Sequence, residues 1–191
     1  MKKNIGLYFG SFNPIHIGHL AIANYIVEFT DLKQIWFVIS PHNPFKKKES
    51  LLSDKMRYYM VNIAIEDDNR FKACSIEFSL PKPSYTINTL TYLKEKYPTI
   101  TFSLIMGSDN LKSIHKWKNY EEIIKNYSIY VYPRPQEEIS TWEKGDIHLL
   151  NAPLMDISAS FIRKSIKSGH DIRYFLSNKV FRYIDEMNLY K

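Results

Sequence analysis

Ile5-Gly6-Leu7-Tyr8-Phe9-Gly10-Ser11-Phe12-Asn13-Pro14-Ile15-His16-Ile17-Gly18-His19, running on into Leu20-Ala21-Ile22-Ala23-Asn24-Tyr25-Ile26-Val27-Glu28-Phe29, decides how the chain is read. Ile5 to Phe9 is short, apolar and bounded by Gly10, the pattern of a strand buried on both faces of a parallel sheet. Leu20 to Phe29 holds neither Pro nor Gly and has the composition of a helix. The residues between them form the turn from the first strand to the first helix of an α/β unit, punctuated by Gly10 and Pro14. His16 and His19 stand three apart and share a face of the first helical turn. A helix N-terminus presents unpaired N–H groups and a partial positive charge, and Gly18 removes a side chain that would hold a phosphate away. Two imidazoles added there supply donors that can follow shifting charge, so a phosphate site is expected.

Length and composition set the frame. The 191 residues suit one α/β domain whose C-terminal part, from about residue 157 to 191, is helical. The single Cys74 forbids an internal disulfide, fits a reducing compartment, and reads as a small buried apolar residue. Met1-Lys2-Lys3-Asn4 leads straight into a strand, and no apolar run approaches the roughly 20 residues of a membrane span, so a cytoplasmic protein with no membrane partner is expected. The net charge of +6 is scattered, with one dense run at Lys46-Lys47-Lys48. Polyphosphate substrates favour a basic site as nucleic acids do, and charge alone separates neither.

Along the chain, Gln34 to Ile39 is a second buried strand, and the loop Ser40-Pro41-His42-Asn43-Pro44-Phe45 that follows leads into the lysine run, at a carboxyl strand end where α/β proteins bind ligands. Ser53 or Asp54 caps a helix through Ile65, with Met56, Met60 and Ile63 as its core stripe. Phe71 to Phe78 reads as a strand with a polar side. Ser84 and Thr86 are natural caps of a helix through Tyr97. Thr101 to Met106 is a strand ending in Gly107-Ser108-Asp109, where the carboxylate either accepts from ribose hydroxyls or caps the next helix. Trp117, among polar residues, is placed to stack on a flat heteroaromatic ring. Tyr127 to Tyr132 is a strand closed by Pro133-Arg134-Pro135, and Arg134 either reaches a nucleotide or stays in solvent. Ile147 to Leu150 is a short last strand. Ser158 or Ser160 caps a helix through Ser168 ended by Gly169, with Arg163 just inside as part of an anion clamp, and Tyr174 to Met187 gives one more amphipathic helix. Strands and helices alternate about five times, which predicts a Rossmann-like, doubly wound parallel sheet with the stretches 10–19, 40–46, 107–109 and 133–134 along one edge.

Gly10-x-Phe12-x-Pro14-x-His16-x-Gly18-His19 is similar to the signature of the nucleotidyltransferases related to class I aminoacyl-tRNA synthetases. Ser84-Tyr85-Thr86, Gly107-x-Asp109 with Trp117, and Ile157-Ser158-Ala159-Ser160-Phe161-Ile162-Arg163 resemble motifs of nicotinate mononucleotide adenylyltransferases, over nearly the whole chain. The resemblance departs at Asn88, where the family usually has Asp, at Ala159, where a hydroxyl is lost, and in the loop at 42–46, whose His42 comes early. What it implies is adenylyl transfer from ATP, with Mg²⁺, to nicotinate mononucleotide, giving the dinucleotide and pyrophosphate. Carried onto this sequence, His16, His19, Lys46 and Arg163 are the catalytic candidates. Gly10, Ser11, Phe12, Gly18, Gly107, Asp109, Arg134, Ile157, Ser158 and Ser160 join His16, His19 and Arg163 at ATP. Asn13, His42, Lys46, Tyr85, Thr86 and Trp117 are implied at the mononucleotide. No protein-held metal and no nucleic-acid partner are expected. A pantetheine-phosphate adenylyltransferase shares the first motif but leaves Trp117 and Gly107-x-Asp109 unexplained. A non-enzymatic nucleotide- or RNA-binding module predicts steep salt dependence without turnover.

Overall fold

The computed structural model describes residues 3–41, 51–135, 142 and 144–191. In chain order it contains β1 (Lys3–Gly10), α1 (Ile17–Phe29), β2 (Gln34–Ile39), α2 (Asp54–Ile65), β3 (Phe71–Cys74), α3 (Thr86–Lys96), β4 (Ile100–Gly107), α4 (Ser108–Lys112), α5 (Tyr120–Asn126), β5 (Ile129–Tyr132), β6 (Ile147–Leu149), α6 (Ala159–Lys167) and α7 (Asn178–Glu186). All six strands pair parallel in one sheet of order β3-β2-β1-β4-β5-β6. The chain moves outward from β1 through β2 and β3, then returns to the other flank of β1 as β4. The connections leaving β1 and β4 therefore part at this reversal, and the crevice they leave lies at the carboxyl ends of the strands.

Side chains alternate across the sheet, and each face has its own helices. Ile5, Leu7, Trp36, Val38, Leu104 and Val131 face Leu90 and Leu93 of α3, Leu111 of α4 and Ile123 of α5. Tyr8, Phe37, Ile39, Ile105, Tyr130 and Tyr132 face α1, α2, α6 and α7 through Ile26, Val61, Ile162 and Ile184. The expected doubly wound architecture is present, and burial on both faces explains why β1 and β2 read as continuous apolar runs.

Several boundaries differ from expectation. α1 begins at Ile17 rather than Leu20, because His16 supplies the extended cap residue and Gly18 is tolerated in the first turn. β3 stops at Cys74, where its pairing with β2 ends, and residues Ile76–Phe78 form a 3-10 turn that carries Glu77 inward. The buried Glu77 carboxylate accepts a hydrogen bond from Thr89 Oγ1 at 2.7 Å. The core stripe of α2 is Arg57, Met60, Val61 and Ile65, one residue round from Met56, Met60 and Ile63. The expected helix from Tyr174 is a 3-10 turn at Arg173–Phe175 followed by α7, which Ser177 caps by accepting from Val180 N–H. Ser53 caps α2, and Gly169, at φ +73°, follows α6 as a left-handed terminator.

Candidate active site

The N-terminus of α1 is built around a pair of imidazoles. His16, extended at φ −145° and ψ 171°, is the cap residue, and its backbone N–H donates to His19 Nδ1 at 3.3 Å. That bond leaves the proton of a neutral His19 on Nε2. The two rings stack with centroids 3.7 Å apart. Phe12, held in the left-handed region at φ +44°, buries its ring against Tyr8, Phe37 and His19. A Cβ on Gly18 would stand 3.1 Å from His16 Nδ1, so the glycine makes room for the histidine ring rather than for a ligand directly. Burial, with the Arg134 guanidinium adding to it, lowers the His16 pKa to about 3.

The second arm is the N-terminus of α6. Ser158 is the cap, accepting from Phe161 N–H at 3.1 Å, while Ser160 Oγ accepts from Arg163 Nη2 at 3.3 Å. Arg163 Nη1 donates to the backbone carbonyl of Asn13 at 2.8 Å and so ties this helix to the turn after β1. Where a Gly18 Cβ would lie, Ile157 Cβ is 3.7 Å away, so the starts of α1 and α6 abut.

Across the strand reversal, Gly107 and not Asp109 occupies the cap position of α4. Asp109 Oδ1 lies 3.7 Å from Arg134 Nε, and a Cβ on Gly107 would collide with that carboxylate at 2.4 Å. Arg134 does not extend into solvent. Its N–H donates to Ser108 Oγ at 3.0 Å and its Nη2 to Tyr132 Oη at 3.1 Å, while Tyr8 Oη donates to the same hydroxyl at 3.2 Å. Burial raises the pKa of both phenols, so they remain neutral partners. At the start of α3 the cap residue is Tyr85, and neither Ser84 nor Thr86 caps through its side chain. The Lys118 ammonium lies 4.7 Å over the Tyr85 ring, joining this end to the segment of Trp117. Trp117 is half-buried against the sheet face covered by α3 to α5, so it is anchored there as well as lining the cavity.

These groups surround one cavity of about 460 Å³, a volume suited to a small-molecule ligand. Its wall includes Gly10, Ser11, Phe12, Asn13, His16, His19, Tyr85, Thr86, Asp109, Trp117, Arg134, Ile157, Ser158, Ser160 and Arg163. Gly18 and Gly107 are not in the wall, and each instead gives room to a neighbour that is. His42 and Lys46 lie outside the described residues. Of the five buried side-chain polar atoms with no hydrogen-bond partner among the described residues, His16 Nδ1, Glu77 Oε2, Ser84 Oγ and Arg134 Nε belong to wall residues, and the fifth, Trp142 Nε1, does not. Orphaned buried polar atoms are rare in finished structures, and their gathering at one cavity marks a place for a polar ligand.

Two residues that organise the site have no motif. Arg57 has a side chain with no exposed surface, and it donates to the carbonyls of Ser11 at 2.5 Å, Ser40 at 3.0 Å and Leu52 at 3.0 Å. Its remaining nitrogen pairs with Asp54 at 2.6 Å. It thus fixes the loops leaving β1 and β2 to the start of α2. Tyr190 donates its hydroxyl to Asn13 Oδ1 at 2.8 Å. No helix of the described residues is long and apolar enough to cross a membrane.

Comparison with known proteins points the same way as the geometry. The cytidylyltransferase-like family matches residues 7–165. The chain is similar to a Flavobacterium johnsoniae protein named "Probable nicotinate-nucleotide adenylyltransferase", with 56% identity over 190 residues and 98% of each chain covered. A Bacteroides fragilis protein of the same name is 46% identical over 184 residues, covering 96% of this chain and 92% of that one. Among solved structures, Plasmodium falciparum nicotinic acid mononucleotide adenylyltransferase complexed with NaAD superposes with a TM-score of 0.81 at 25% identity, covering 98% of this chain and 97% of that one. Kinship of this depth along nearly the whole of both chains means that this chain belongs to the nicotinate-nucleotide adenylyltransferase family.

Proposed function

We infer that the chain catalyses transfer of the adenylyl group of ATP to the phosphate of nicotinate mononucleotide, in the synthesis of NAD. The observation that carries this reading is the meeting of two helix N-termini, those of α1 and α6, at one cavity, each with cationic or donor side chains in its first turns. An oxygen of the mononucleotide phosphate attacks the α-phosphorus of ATP, a new P–O bond forms, and the bond to pyrophosphate breaks. The attacking phosphate has a second pKa near 6, so it is already dianionic at neutral pH and needs no general base. Catalysis then rests on aligning two anions and stabilising charge on the leaving group.

In this reading His16 and His19, with the α1 N–H groups, face the triphosphate, and Ser158, Ser160, Arg163 and Ile157 approach it from the other side. Gly10, Ser11 and Phe12 form the floor, and Asp109 and Arg134 take the ribose and adenine end. Asn13, Tyr85, Thr86 and Trp117 take the mononucleotide; His42 and Lys46, expected there from the sequence, lie outside the described residues. Support comes from the cavity wall that these described residues share and from the orphaned polar atoms within it. A divalent cation accompanies the triphosphate, and we assign it as Mg²⁺ entering with ATP as MgATP. Among the described residues no group of three His, Cys, Asp or Glu side chains is placed to hold an ion. In this reading the ion belongs to the substrate, and the residues' own work is binding and orientation.

The test is pyrophosphate release from MgATP with nicotinate mononucleotide, nicotinamide mononucleotide or phosphopantetheine as acceptor. Turnover with the nicotinate form well above the other two is expected. Turnover confined to phosphopantetheine, or none from folded protein that binds ATP, would overturn the assignment.

A further inference from the structure

The loop bearing the two histidines is held from an unexpected direction. After α7 the backbone enters the left-handed region twice, at Asn188 with φ +52° and at Tyr190 with φ +65°. For a bulky side chain such a conformation is unfavourable and persists only where surrounding contacts enforce it. Two contacts do so. Leu189 is 8% exposed and its N–H donates to Ile184 O at 2.9 Å, which folds the segment back on α7. Tyr190 Oη donates to Asn13 Oδ1 at 2.8 Å, across 177 positions of sequence.

Asn13 is 3% exposed and is the point at which several elements grip the turn after β1. Its carbonyl accepts from Arg163 at 2.8 Å, and its side-chain oxygen also accepts from Leu52 N–H at 3.3 Å. The neighbouring guanidinium groups of Arg57 and Arg163 favour ionisation of the Tyr190 phenol, but burial outweighs them and the phenol stays a neutral donor. The hydroxyl, within the field of both arginines, holds Asn13, which stands three residues before His16 in the same loop.

We propose that Tyr190 is a positioning residue for adenylyl transfer: through Asn13 its hydroxyl sets the turn that presents His16 and His19 to the triphosphate. This rests on the function inferred above. The strained backbone supplies the reason that a merely space-filling residue lacks, because an apolar anchor at this position would have no need of a hydroxyl aimed at the loop.

The test is Tyr190→Phe, which keeps the ring, read by steady-state kinetics and thermal melting beside wild type. Loss of one buried hydrogen bond that orients the reacting groups is expected to lower kcat about tenfold, with KM for ATP within about twofold. Melting should change little by comparison. Asn13→Ala should show the same loss, and the double variant should be no slower than Asn13→Ala alone. Wild-type kcat in Tyr190→Phe, or multiplying losses in the double variant, would overturn the positioning role. If Tyr190→Phe does not fold, a wild-type kcat in Asn13→Ala would overturn it, and a lower kcat with KM for nicotinate mononucleotide unchanged would support it. A wild-type enzyme silent with nicotinate mononucleotide would instead sink the underlying function, which separates the two failures.

Discussion

His16 is 4% exposed, and its imidazole is held at about pH 3 against an ordinary value of 6.5 by burial and by the Arg134 charge. In the unfolded chain the ring takes up a proton as pH falls through its ordinary value, whereas in the folded chain it does so only near 3. Between these limits the unfolded state binds more protons, so this residue's contribution to stability is lost as pH falls from about 6.5 towards 3 and is fully present above 6.5. His16→Gln should flatten the acid limb of urea-unfolding stability against pH, and an unchanged slope would contradict a buried neutral ring. Anionic phosphate acts in the opposite sense and raises the affinity of the ring for a proton. Binding of ATP at acid pH, above the free-protein value of about 3, should therefore take up protons, detectable by calorimetry in buffers of different ionisation enthalpy. Gly18→Ala tests the same ring by steric means. The added methyl would lie 3.1 Å from His16 Nδ1 in a packed stack with His19. We expect kcat to fall by about ten- to a hundredfold, the scale of a displacement of about 1 Å at reacting groups. Wild-type turnover would mean that the ring has room to move.

At the scale of elements, Arg57 joins what the chain leaves apart. It sits in the first turn of α2 and holds the carbonyls that end β1 and β2, so three segments share one buried cation. Arg57→Met matches the volume but strands three carbonyls and Asp54 without a donor. The expected cost is about 3–5 kcal/mol in denaturant unfolding, as for one half of a buried polar network. Arg57→Lys should recover little of it, because a single ammonium cannot span the planar fork. Nothing in the residues around Arg57 announces this role. The predicted stripe rests on the spacing of apolar Met56, Met60 and Ile63, and a charged residue such as Arg57 does not enter such a pattern. The elements that were legible carry their cause locally. β1 and β2 are apolar because both faces are covered, Ser53 and Ser158 cap because a hydroxyl precedes a helical run, and Gly169 terminates α6 because its φ is positive. The illegible ones depend on distant partners. β3 ends where β2 stops pairing, Tyr85 rather than Ser84 begins α3, and Tyr190 is read only when Asn13 lies beside it.

On the whole molecule, the placement of the cavity follows from strand order. Because β1 and β4 are neighbours whose connections leave in opposite directions, the two layers of helices meet in contact with one crevice: α1 and α6 from one face, α3 and α4 from the other. The motif spacing made that convergence legible, since the implied site residues among the described ones, Trp117 and Arg163 apart, follow a strand or lie at the start of a helix. The depth of the Arg134–Tyr132–Tyr8 chain was not legible, because it needs β1 and β5 brought to either side of β4. A ligand that bridges both layers stabilises the folded state alone, by RT ln(1 + [L]/Kd), or about 2.7 kcal/mol at a hundredfold excess over Kd. For a chain of this length that corresponds to a rise in Tm of about 5–10 °C. We expect a non-hydrolysable ATP analogue with Mg²⁺ to give such a rise, and nicotinate mononucleotide to add a further increment once the analogue is bound. Trp117→Ala should erase the increment from the mononucleotide while leaving the rise from the analogue, because the indole lines the cavity and in the proposed reading stacks on the mononucleotide ring. If both increments disappeared together, Trp117 would be a support of the cavity as a whole. If neither changed, the mononucleotide would lie elsewhere in the crevice.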